Sequence, residues 1–257
     1  IIQARLAGDD HVLLVTMHHI VSDGWSIGVL VREIAGGYAA ARRGEEGGSP
    51  LPLQYTDYAA WQRDRLGPES AALREQLQYW TGRLAGLPGR LELPADRPRP
   101  AVKGARGATV TLDLPPGLSA GLRSLARREG ATLFMVLLAG FEAVLQRYTG
   151  QDRFAIGTAV AGRNHRELEG LIGFFANTLV LRGDLTGRPS FRELVARVRE
   201  DALGAYAHAE LPFERLVEAL QPPRDPGRTP VFQVMFNFHS EPAQRLALGE
   251  LSASRIA

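Results

Sequence analysis

Met17-His18-His19-Ile20-Val21-Ser22-Asp23-Gly24-Trp25-Ser26 sets two imidazoles, a carboxylate and a glycine between a short apolar run and a long amphipathic one. The run before it, Val12-Leu13-Leu14-Val15-Thr16, follows the polar turn Gly8-Asp9-Asp10 and reads as a buried strand. Ile1 to Leu6 alternates as a strand does, so a hairpin through residues 7–11 is expected. After the segment, Ser26 is placed to cap a helix over 27–43, with Val29, Leu30, Ile34 and Tyr38 at helical spacing. Strand-to-helix loops of this kind hold reactive side chains well, because rigid elements fix them from both sides.

Neighbouring residues of a strand face opposite ways, so His18 and His19 do not share a cavity. If one is chemical, the other is a hydrogen-bonded support. No cysteine and no nearby carboxylate pair completes a ligand set, so no metal is expected. Asp23 either orients an imidazole directly or braces the loop through an arginine. Gly24 allows a tight backbone turn or a close substrate approach. On these residues alone, a packed histidine is favoured over a reactive one.

The 257 residues, 45% apolar, suffice for one large domain or two modest ones. A formal net charge of +2 gives no reason to expect nucleic acid, and no apolar run approaches a membrane span. With no cysteine, a disulfide scaffold and a thiol nucleophile are excluded. A soluble cytoplasmic protein is the expectation.

Tyr55, Tyr58 and Trp61 fall on roughly one helical face and read as a core stripe. A helix over 68–85 carries Leu73, Leu77, Trp80 and Leu84. The proline- and arginine-rich stretch 93–106 reads as a linker. Beyond it a strand is expected over 108–114, then a helix capped by Ser119 and closed at Gly130. Another helix, capped by Thr132, follows with Leu133, Val136, Leu137, Gly140, Phe141, Val144 and Leu145 as its apolar face. Residues 153–160 read as a buried strand ending in the polar turn Ala161-Gly162-Arg163-Asn164-His165.

His18 to Gly24 fits the pattern HHxxxDG. Ile172-Gly173-Phe174-Phe175-Ala176-Asn177-Thr178 is close to IGxFVNT, and His208 to Glu214 to HQDxPFE, with Ala209 and Glu210 departing from Gln-Asp. The segment 224–237, from Arg224 to Asn237, resembles RDxSRxPLFQVMFN, with Gly227 for Ser and Val231 for Leu. Together with the Tyr55–Trp61 string these motifs stand in the order found in condensation domains of nonribosomal peptide synthetases, which the chain resembles along nearly its whole length.

The resemblance implies an α/β, two-lobed chloramphenicol acetyltransferase-like fold, here cut short at both ends. Residues 1–92 would end the N-terminal lobe, 93–106 link, and 107–257 begin the C-terminal lobe. It implies amide formation between a donor acyl thioester on one carrier protein and the amine of an aminoacyl thioester on another. No cofactor is expected to bind directly, since both substrates ride on phosphopantetheine arms. The implied partners are upstream and downstream peptidyl carrier proteins and an adenylation domain. Carried over by motif position, His19 is the active-site histidine, as base or as positioning group, with His18, Asp23, Gly24 and Arg163 in support. Asp23 is implied to be a brace, with Arg163, in the family's GR turn, as its partner. Trp25, Ser26, Asn177 and Asn237 are candidates for substrate contact, each amide being equally readable as structural. The open alternatives are an epimerizing relative, which the residues after Gly24 disfavour, a coenzyme A-dependent acyltransferase, and a non-catalytic docking module. Trp25-Ser26 leans toward an L-configured donor.

Overall fold

The computed structural model describes residues 1–48, 50–239, 248, 249, 251, 253 and 256. Ser49, in the loop expected after the first helix, lies outside them, as does much of the expected second lobe beyond His239. The chain divides into two compact units, one holding Ile1–Asp64 and Ala161–Ala176, the other Arg65–Val160 and Asn177–His239.

In the first unit, β1 (Ile2–Arg5) and β2 (His11–Leu14) pair antiparallel, Ile2 opposite Leu14, around a turn closed by the Leu6 and Ala7 amides on the Asp10 carbonyl. The hairpin is as expected, but its burial is not. Leu13 and Leu14 point to opposite faces and both are exposed, because among the described residues this sheet has two strands and neither face is covered by a second layer. A 3-10 turn over His19–Val21 leads into α1 (Gly24–Arg42). Asp23, not Ser26, is the cap: its Oδ1 accepts from the Ser26 amide at 2.8 Å, and Ser26 lies inside the first turn. Both side chains are good caps, and the earlier one reaches the orphan amide first. Val29 of the expected stripe is buried and Leu30, Ile34 and Tyr38 are half-buried. α2 (Tyr55–Arg65) lays Tyr55 and Tyr58 on Phe175, beside Leu168 and Leu171, as the aromatic spacing foretold. Trp61 stays half in solvent, edge-on to His165.

The second unit contains α3 (Ala71–Leu84), α4 (Pro116–Arg128), α5 (Leu133–Thr149), β3 (Arg153–Val160), β4 (Asn177–Asp184), α6 (Phe191–Ala207) and α7 (Phe213–Leu220). Leu73, Trp80 and Leu84 of α3 enter its core. No strand forms over 108–114. Val110 and Leu112 are fully open, since alternation without a partner strand fixes nothing. Ser119 is not a cap either. α4 starts at Pro116, whose locked φ and missing N–H suit a first turn. Thr132 does cap α5, its hydroxyl accepting from the Met135 amide at 3.2 Å. On α5 the buried face shifts, with Val144 half-exposed and Glu142 inside. β3 matches its expected bounds and pairs antiparallel with β4 along its full length, from Arg153 opposite Asp184 to Val160 opposite Asn177. On its other side the Gly157 amide and carbonyl bond Val234 and Phe236. Segment 93–106 has neither helix nor strand, yet the Lys103 amide bonds the Pro226 carbonyl. No single described helix is long and apolar enough to cross a membrane.

Candidate active site

Neither histidine sits in a strand, because β2 ends at Leu14. The expected opposition of faces is therefore not what separates them. Each ring is instead tied to the main chain of the 3-10 turn. His18 Nδ1 accepts from the Ile20 amide at 3.1 Å, so its neutral ring carries the proton on Nε2. His19 Nδ1 lies 2.7 Å from the Ser22 carbonyl, an acceptor only, so its neutral ring is protonated on Nδ1. The two imidazoles are thus held as opposite tautomers. Only His19 presents an unprotonated Nε2, and its ring stands perpendicular to that of Phe174, centroids 5.3 Å apart.

Ser22 opens the buried part of the loop, and Asp23 is its anchor. Asp23 Oδ1 takes the Ser26 amide and Arg163 Nη2 at 3.2 Å, while Oδ2 takes the amides of Phe175 and Ala176 at 3.0 and 3.2 Å. Burial alone would raise this carboxyl. Hydrogen bonds from the Ser26 amide and hydroxyl and the Phe175 amide, with the Arg163 charge, outweigh it and hold the group below its usual value. Asp23 therefore does not orient an imidazole but braces the loop through an arginine.

Ser26, wholly buried, is the hub of the same cluster. Its one proton serves Asp23 Oδ1 or the Gly173 carbonyl, each at 2.8 Å, while its oxygen accepts from Arg163 Nη2 and the Gly173 amide. Arg163 also donates through Nη1 to the Leu168 and Leu171 carbonyls and stacks over the Phe175 ring at 4.0 Å. Two glycines let this segment close. Gly162 has φ +65°, and a side chain there would overlap the Phe175 carbonyl; at Gly173 it would overlap the Tyr55 ring. Gly24 has no such need: it is the first residue of α1, outside the left-handed region, with open space above it. Of its two readings the tight turn is absent, which leaves close approach.

Trp25 is partly exposed and donates from Nε1 to the Glu169 carbonyl. Asn177 and Asn237 lie in the second unit. The Asn177 amide is fully engaged, Nδ2 on the Ala209 and Leu211 carbonyls and Oδ1 receiving the Thr178 and Phe213 amides. Asn237 Oδ1 receives the Ala159 amide. Sequence reasoning singled out neither Phe174 nor the hydroxyl of Ser26 as a hub. The only signal was that Phe174 stands inside the IGxFVNT-like motif and Ser26 two residues after HHxxxDG. Among the described residues no group of side chains suits a metal ion.

A mixed helix-and-sheet chain with two histidines on a braced strand-to-helix loop, one of them presenting an open Nε2, has the features of an α/β domain of the condensation type. The family model described as Condensation domain matches residues 1–256, and the chain belongs to that family. It is 48% identical to malpinin synthetase of Mortierella alpina over 96% of this chain and 3% of that one. With isonitrile lipopeptide synthase of Mycobacterium tuberculosis it shares 42% identity over 97% of this chain and 10% of the other. Among solved structures, the X-domain from teicoplanin biosynthesis matches with a TM-score of 0.77 at 36% identity, over 85% of this chain and 49% of that one. The first condensation domain of the CDA synthetase matches with a TM-score of 0.68 at 27% identity, over 91% and 50%. The chain thus spans about half of these solved domains and a small part of the synthetases. Its fold is that of condensation domains, as the motif order implied.

Proposed function

We propose that this chain, as part of a complete condensation domain, serves amide-bond formation in nonribosomal peptide synthesis, with His19 at the reacting centre. The observation that carries this is the tautomer imposed on His19 by the Ser22 carbonyl, which leaves Nε2 as a lone-pair acceptor on a loop anchored by buried Asp23. The amine nitrogen of the acceptor attacks the donor thioester carbon, the C–S bond breaks, and thiol and amide are formed. The amine loses one proton, and Nε2 is built either to take it or to hold the N–H in line. General-base help is typically worth ~10²–10⁴-fold, and alignment of tethered reactants can contribute as much. A free α-amine has a pKa near 8, about one unit above neutrality, so alignment alone serves part of the population.

In this reading both substrates arrive on phosphopantetheine arms of upstream and downstream carrier proteins, with an adenylation domain as neighbour in a cytoplasmic synthetase. By motif order residues 1–92 and 107–257 are assigned to the two lobes, with 93–106 between them; the compact units divide differently, 65–92 falling in the second and 161–176 in the first. His18, Asp23, Gly24 and Arg163 support the loop. The similarity to malpinin synthetase and isonitrile lipopeptide synthase supports this assignment.

A second reading comes from a similar structure, the complex of the X-domain and OxyB from teicoplanin biosynthesis, in which this fold meets a protein partner. A docking module needs no open Nε2, which favours the first. The test is the intact protein with loaded donor and acceptor carriers, read by intact mass of the acceptor. Amide product lost in His19→Ala supports condensation. No product from folded wild type across several donors moves the assignment to docking.

A further inference from the structure

The hydrogen bonds that clamp segment 173–176 all use its main-chain atoms. Gly173 gives its amide to, and shares its carbonyl with, the Ser26 hydroxyl; Phe174 offers its carbonyl to the Tyr55 hydroxyl at 2.9 Å; Phe175 and Ala176 give their amides to Asp23. Of the two aromatic rings in this segment, that of Phe175 goes into the core under Arg163. The ring of Phe174 goes the other way, stays 42% exposed and meets His19 at an interplanar angle of 84°. A single hydrogen bond at Nδ1 fixes where that nitrogen points but tolerates a range of angles, so the ring keeps some freedom to tilt. A perpendicular aromatic wall restricts the remaining freedom.

We propose that Phe174 is a positioning residue that sets the plane of the His19 ring, so that Asp23, Ser26 and Arg163 act on the reaction by fixing where Phe174 stands. This rests on His19 being the reacting group. It also gives Asp23 a route to the histidine it does not touch: carboxylate to the 175 and 176 amides, main chain to the Phe174 ring, ring to imidazole.

The experiment uses Phe174→Leu and Phe174→Tyr in the intact protein, with loaded carriers and with 13C-labelled histidine, of which the chain has six. Neither substitution removes a clamp bond, because every clamp bond is to main chain, so both variants should fold. Phe174→Leu should lower kcat by on the order of 10–10²-fold with KM little changed, as misaligned reacting groups do. Phe174→Tyr, which keeps the ring, should restore it. The His19 ring resonances should shift in Phe174→Leu and stay in Phe174→Tyr. Wild-type kcat in Phe174→Leu, or equal loss in both variants, would overturn the proposal. So would His19 resonances indifferent to the ring. Wild type that makes no amide, with His19 resonances still governed by residue 174, overturns the assigned reaction and leaves the contact standing.

Discussion

Arg163 meets Asp23 across 140 residues of chain, Nη2 to Oδ1 at 3.2 Å, with both side chains at most 2% exposed. Burying such a pair is not in itself a large source of stability, but breaking it leaves one charge uncompensated. Asp23→Ala and Arg163→Ala should each destabilise by about 3–5 kcal/mol, seen as a lower midpoint in urea. The double variant should lose clearly less than the sum, since the second change removes the stranded charge. An Asp23→Ala midpoint equal to wild type would show that the brace is not structural.

The lowered pKa of Asp23 makes acid stability a second readout. A carboxyl lower in the folded than in the unfolded state contributes stability above its unfolded value, near 4 for aspartate, and loses it as pH falls through the folded value. Below about pH 4 the wild type should therefore lose stability more steeply than Asp23→Asn, which is weaker at neutral pH but has no such proton to take up. Unfolding midpoints between pH 2 and 7 measure this. Parallel curves for the two proteins would rule the carboxylate out as a source of acid sensitivity.

The brace was legible in the sequence as a motif pairing, but not as geometry. Nothing in HHxxxDG states that the carboxylate also caps α1, or that Ser26 would be buried beneath it, because capping depends on where the helix starts and two eligible caps stood three residues apart. β3 was read to the residue because its apolar run is buried in a complete pair with β4. The run over 108–114 has comparable alternation and forms nothing, because strand formation is settled by a partner that local pattern does not encode. Opposite-face reasoning held only that the two histidines do not share a cavity, and motif position, not geometry, chose His19. The discriminating fact is the carbonyl or amide that each Nδ1 meets, which depends on the turn itself.

Ser26→Ala tests the hub separately from the charges. It removes one hydroxyl that Asp23, Arg163 and both polar atoms of Gly173 use. Leaving buried donors and acceptors unmet costs about 1–3 kcal/mol, so an intermediate loss of stability is expected, smaller than for Asp23→Ala. If Phe174 stands where the clamp holds it, turnover should fall as well, with the Nδ1 tautomer of His19 unchanged in its 15N spectrum. A stability loss with full turnover would separate the clamp from the chemistry.

Glu142 predicts the opposite sign. It lies on α5, 1% exposed among apolar side chains, with Oε2 lacking any hydrogen-bond partner. Burial first, then the nearby Asp201 and Asp184 carboxylates, push it well above the usual glutamate range. An acid raised in the folded state adds nothing against folding below its unfolded value, about 4.3, and costs stability as pH rises from there toward the folded value. Glu142→Met, similar in length and without a polar atom to desolvate, should stabilise the protein by about 1–3 kcal/mol at pH 7 and by less at pH 4, where the protonated carboxyl carries no charge but still lacks a partner. Asp201 keeps part of the slope: burial raises it too, against the Arg182 amide and the Arg83 guanidinium, the latter at 2.6 Å. Chemical denaturation of both proteins at pH 4 and pH 7 gives the comparison. A Met variant weaker than wild type at pH 7 would mean that Glu142 has a favourable role in the core outweighing its desolvation.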